Sequence, residues 1–137
     1  MGFFLKTDIS ELKKLRDKIK KFSHKEKKKL CEDIAKETAT VLLRRVKQKT
    51  PVDTGNLRRN WNISSQPLPN GYESTVYNQT EYAPYVEYGH RVKKKSGFGW
   101  VKGQYMLTKS EFETSKLYTK IVDKHVDKAL RALFKWF

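Results

Sequence analysis

Midway along the chain the sequence reads Thr50-Pro51-Val52-Asp53-Thr54-Gly55-Asn56-Leu57-Arg58-Arg59-Asn60-Trp61. Pro51 closes any helix that precedes it, because the residue before a proline is pushed out of the helical region. Asp53 or Thr54 can cap a short helical turn whose first amides otherwise lack acceptors. Gly55 permits positive φ or close approach of another backbone. Leu57 is expected to point inward, while Arg58 and Arg59 reach outward, where guanidinium groups suit bidentate pairing with carboxylates across an interface. The stretch reads as a corner between a helix and a sheet.

Upstream of that corner lie two helical patterns. Asp8-Ile9-Ser10-Glu11 matches a capping box, and Ile9, Leu12, Leu15, Ile19 and Phe22 then recur at spacings of three and four. Ser23-His24-Lys25-Glu26 is a second box that restarts the chain. From it the spacing predicts a helix of about seven turns over residues 24–49. Leu30, Ile34, Val41 and Leu42, with Cys31, Ala35 and Ala39, make its apolar side.

Downstream the period changes. Trp61 to Ser64 alternates, Pro67, Pro69 and Asn70-Gly71 punctuate, and Tyr72 to Tyr77 alternates again, which predicts a β-hairpin with a loop longer than two residues. Tyr82, Ala83, Tyr85, Val86 and Tyr88 have helical spacing, with Pro84 acceptable in a first turn and Gly89 ending the patch. Residues 90–103 are basic and hold three glycines, and they read as a mobile loop carrying Phe98 and Trp100. Tyr105-Met106-Leu107 reads as a short third strand. Thr108-Lys109-Ser110-Glu111 is a third box, opening a last helix that runs to the aromatic end at Trp136 and Phe137. The expected fold is α+β: two N-terminal helices, a small, mainly antiparallel β-sheet with a long basic loop, and a C-terminal helix packed on the sheet. Residues 1–22 form an amphipathic helix or arm and residues 23–137 a single domain.

The 137 residues carry 30 Lys+Arg against 15 Asp+Glu, a formal charge of +15, with balances of +9, +4 and +2 over residues 1–50, 51–110 and 111–137. Apolar residues make up 37%, enough for a modest core and against disorder throughout. No apolar run approaches the ~20 residues that cross a bilayer, so no membrane partner is expected. The N-terminus lacks the pattern of a secretory signal. Cys31 stands alone, which excludes an intramolecular disulfide and a cysteine-based zinc cluster.

Catalytic chemistry finds no foothold. His24, His90 and His125 lie in unrelated segments, with His125 expected to be a partly buried helix residue and Cys31 a small buried hydrophobe. No carboxylate pair or phosphate-cradling glycine loop stands out. No catalytic residue, cofactor or metal is expected. The lysines at 13–29 leave open a second class, a cytoplasmic nucleic-acid-binding protein using its basic N-terminal helices.

Pro51 to Arg58 and then Tyr82-Ala83-Pro84-Tyr85-Val86-Glu87-Tyr88-Gly89, with a looser match at Gly103-Gln104-Tyr105-Met106-Leu107, resemble the tail-component family of lambdoid and related tailed phages. The resemblance spans roughly residues 25–135. It implies a non-enzymatic virion protein, made in the bacterial host cytoplasm, that assembles as a homo-oligomeric ring (hexamer or dodecamer). The implied place is the head–tail connector, neck or tail terminator of a phage or phage-tail-like particle. Its implied partners are a portal-side connector, tail-tube or sheath proteins, and DNA in the lumen. On this reading Arg58, Arg59, Tyr82, Tyr85, Glu87 and Tyr88 are expected at the subunit interface. Arg91, Lys93, Lys94, Lys95, Phe98 and Trp100 are expected to meet the next ring or another partner. Pro51, Asp53, Thr54, Gly55, Leu57 and Gly89 are expected to shape the fold.

Overall fold

Ser23 accepts the amide of Glu26 at 3.1 Å and so caps helix α1, His24–Lys49, where the sequence placed it. The structure, a computed structural model, describes residues 2–8, 20 and 22–134. The expected helix at 9–22 and the terminal Trp136 and Phe137 fall largely outside these residues. Past α1, a single turn α2 (Asn56–Arg59) leads into strands β2 (Trp61–Leu68) and β3 (Gly71–Asn78). A short helix α3 (Ala83–Tyr88) follows, then strands β4 (Gly89–Lys94) and β5 (Gly97–Lys102), and helix α4 (Met106–Phe134). The architecture is α+β, as expected.

Residues Gly2–Asp8, read from sequence as part of a helix or arm, form strand β1 instead. It pairs antiparallel with β3, with Phe3 opposite Val76 and Leu5 opposite Ser74, giving a sheet of order β1-β3-β2. The β2–β3 hairpin turns through two residues only, since Leu68 faces Gly71. Pro69 locks φ near −65°, which suits the first central position of a type I turn and rules out the type I′ geometry that Asn-Gly suggests. Pro67 sits in β2, an outer strand, where its missing amide costs no ladder bond.

One face of this sheet is core. Val76 and Trp61 are fully buried on it, with Ser74 and Asn78 beside them, while Asn62, Ser64 and Gln66 on the other face are exposed. Helix α1 lies against the inner face and α4 packs alongside α1, antiparallel to it. The interior divides in two. Phe22, Leu30, Cys31 and Ile34 meet Ile121, Val122 and Val126 at one end of the helix pair. Ala39, Leu42 and Val46 meet Leu57, Trp61, Val76, Met106 and Leu107 at the other. Ion pairs fix the register of the helices: Glu113 takes both Arg45 and Lys49 at 2.7 Å, and Glu37 takes Lys124 and, at 3.0 Å, His125. Hydrogen bonds from Lys49 and Arg45 hold the Glu113 carboxyl below its ordinary value of 4.5. Burial alone pushes Glu37 up, but Lys124 and His125 outweigh it and leave that carboxyl lowered too.

Two further expectations are corrected. Residues 90–103 are not an irregular loop: β4 and β5 pair antiparallel through a turn at Lys95-Ser96. Tyr105-Met106-Leu107 is not a strand, because α4 begins at Met106, ahead of the Thr108 box. Ser110 in that box donates its hydroxyl to Met106 O within the helix and caps nothing.

Candidate interaction surface

At the 50–61 corner, almost every conspicuous polar group is used internally. The Trp61 indole donates to Thr50 Oγ1 at 2.9 Å, and Asn78 Nδ2 donates to Leu57 O at 2.8 Å, tying the turn to β3. Gly55 has φ 82°, which favours glycine, and Arg59 folds back so that its guanidinium fills the space a Cβ would need. Thr54 Oγ1 accepts the amide of Asn56, so of the two candidate caps the threonine makes the contact. Arg58 Nε donates to Lys47 O at 2.9 Å, placing a cation at the negative end of α1. Arg59 donates to Thr54 O at 3.3 Å. Both arginines remain exposed, with Asp53, Pro51 and Val52. Asn56 donates to the Tyr82 hydroxyl at 2.9 Å and joins the corner to α3. A hollow of about 360 Å³ opens there, lined by Pro51, Val52, Asp53, Leu57, Tyr82 and Val86.

Glu87, expected at a subunit interface, is instead fully buried within its own subunit. Its carboxylate accepts the amide of Leu107 at 2.9 Å and that of Thr108 at 2.9 Å. It therefore satisfies orphan donors at the start of the 29-residue α4 and sets a negative charge against the positive end of that helix. Burial, and then the charge of Glu87, push the Glu111 carboxyl above its ordinary 4.5. The backbone is laced as well: Gln104 N donates to Val86 O at 2.8 Å and Tyr105 N to Glu87 O at 3.0 Å. Gly89 (φ 87°) and Gly103 lie back to back at this crossing, and a Cβ on Gly103 would fall 2.4 Å from Glu87 O.

Around this buried knot the surface is aromatic. Tyr85 and Tyr88 are 58% and 55% exposed, and Tyr82 and Tyr105 are also open. Tyr88 packs edge-on to Tyr105, and Tyr85 edge-on to His90. The β4–β5 hairpin adds Phe98 and Trp100, 65% and 64% exposed, and α4 adds Phe112. Among the described residues, every exposed large apolar side chain belongs to the corner, α3, the hairpin or the start of α4. Among the same described residues, the opposite end of the helix pair shows none. Arg91 stacks on the Phe98 ring at 3.9 Å, and Lys93, Lys94 and Lys95 crowd the hairpin tip.

Tyr82, Tyr85, Tyr88, Phe98 and Trp100, expected at contacts with other subunits or partners, are exposed, whereas the helix-capping role of Glu87 was not visible in the sequence. Its signal is faint, a lone acid among tyrosines ahead of a long helix. Among the described residues no helix is long and apolar enough to cross a membrane, and no cluster of His, Cys, Asp or Glu is placed to hold a metal ion.

No curated protein and no solved structure matches the chain. One family does, over residues 13–89, described as "Bacteriophage HK97-gp10, putative tail-component". That span takes in the corner and α3 with its tyrosines, and stops before the basic hairpin and the looser 103–107 similarity. With more than half of its length matched, the chain belongs to this family of phage tail components.

Proposed function

We propose that the protein is a ring-forming structural subunit of the head–tail connector, neck or tail-completion layer of a virion, joining the tail tube to the portal side. The observation that carries this is the segregation, among the described residues, of exposed aromatic side chains to one end of the subunit. Apolar patches of that kind on a small protein mark association surfaces. Tyr, Trp, Phe and Arg are also the residue types enriched where proteins meet. A head-to-tail contact repeated around an axis closes into a ring when the rotation permits. Tyr82, Tyr85 and Tyr88, flanked by Arg58 and Arg59, form one side of that contact. The hairpin, with Arg91, Lys93, Lys94, Lys95, Phe98 and Trp100, meets a partner other than the neighbouring subunit: the portal-side connector, the tail tube or sheath, or DNA passing through the lumen.

The test is the solution mass by light scattering at low and physiological salt, with and without the adjoining tail and portal proteins. A discrete hexamer or dodecamer is expected, lost in a Tyr85→Ser/Tyr88→Ser variant whose melting temperature is unchanged. A chain that stays monomeric even when its neighbours are present would sink the ring.

A further inference from the structure

We propose that one face of the β4–β5 hairpin binds the backbone of duplex DNA, which deepens the reading of the hairpin as a contact with a partner other than the neighbouring subunit and rests on it. In an antiparallel ribbon, residues directly opposite share a face and every second residue returns to it. The register sets Arg91 opposite Trp100, Lys93 opposite Phe98 and Gly89 opposite Lys102. One face therefore carries Arg91, Lys93 and Lys102 beside the two exposed aromatics, with Lys95 at the tip. All of these side chains are exposed.

Among the described residues these cations are uncompensated. From Tyr88 to Ser110 the sequence holds no Asp or Glu. No described carboxylate makes an ion pair with any hairpin cation. Arg91, stacked on Phe98, is held with its planar group over the ring, an arrangement that leaves its donors for a phosphate oxygen. An acidic protein surface is the competing partner, but lysine is depleted at protein–protein contacts and is common where phosphates are met. The shape agrees, since a two-stranded ribbon fits the roughly 12 Å major groove. Trp100 and Phe98 supply flat apolar surface for sugars or for an opened base step. Nothing in this arrangement reads a base edge, so binding is expected to be indifferent to sequence.

The experiment measures anisotropy of a labelled short duplex with the full chain over roughly 50 to 200 mM salt. Lys93→Gln/Lys95→Gln/Lys102→Gln is expected to weaken binding at least about tenfold and to flatten the log–log salt slope by between two and three. Lys25→Gln/Lys27→Gln/Lys28→Gln removes the same charge from α1 and is expected to change the slope little. Trp100→Ser is expected to lose roughly fivefold or more. Equal losses from the two lysine triples would overturn the proposal, since bulk charge would then suffice. So would binding of poly-glutamate as tight as that of the duplex, which would hand the hairpin to an acidic protein. Because binding is read on the chain at concentrations where scattering gives a single mass, a failed ring and a failed DNA contact are distinguished.

Discussion

The segment from the corner to α3 and the β4–β5 hairpin are adjacent in the fold, yet they use their conspicuous residues in opposite ways. In the first, Thr50, Gly55, Arg58, Asn78, Trp61 and Glu87 are consumed by the subunit itself, as caps, tethers and close backbone crossings. In the hairpin, backbone pairing is satisfied within the ribbon, and the large side chains contact little beyond it. A two-stranded ribbon is marginal alone. This one is held at its base by the Gly89–Gly103 crossing. The difference shows that a vivid sequence motif can be architecture, while an anonymous lysine-glycine run can fold into a ribbon that leaves its large side chains exposed.

The largest effect is expected where the two regions meet. Gly103→Ala places a Cβ 2.4 Å from Glu87 O and 2.6 Å from the Tyr88 carbonyl carbon, both backbone atoms that cannot step aside. A loss of roughly 3 kcal/mol in urea unfolding is expected. A stability within error of the parent would mean that the crossing is looser than described.

Glu87→Ala comes next. It orphans the buried amide of Leu107 and removes the charge facing the start of α4, which should cost about 2 kcal/mol. Hydrogen exchange sharpens the point: the first turn of α4 should lose protection before the rest of the helix. A variant that folds as firmly as the parent but no longer assembles would return Glu87 to the interface.

How much of this was legible depends on how local the determining physics is. The bounds of α1 followed from the Ser23 box and Pro51, both next to the residues they control. The β2–β3 pair was visible in its alternation, but the loop length was not, because Pro69 rather than Asn70-Gly71 sets the turn. Strand β1 was hidden in Phe3-Phe4-Leu5, an apolar run with no period. The hairpin was masked by glycines and consecutive lysines, which break the alternation that marks a strand. The start of α4 was misread because its acceptor, Glu87, lies 20 residues upstream and reaches it only through the fold. For the surface, Tyr85, Tyr88, Phe98 and Trp100, expected to meet other chains, are all exposed, which such a contact requires.

The smallest effect is expected from the same chemical change made in the hairpin. A Cβ on Gly99 would fall 2.4 Å from Lys94 Cε, nominally as severe a clash as at Gly103. Here, however, the atoms in the way belong to the far end of an exposed lysine, which can swing into solvent without moving the backbone. Gly99 also lacks the positive φ of Gly97, so alanine adopts its conformation without strain. Gly99→Ala should therefore shift unfolding by no more than about 0.5 kcal/mol. A loss approaching that of Gly103→Ala would show that the Lys94 side chain is pinned, and would erase the contrast between a region locked by its own contacts and one left open for a partner.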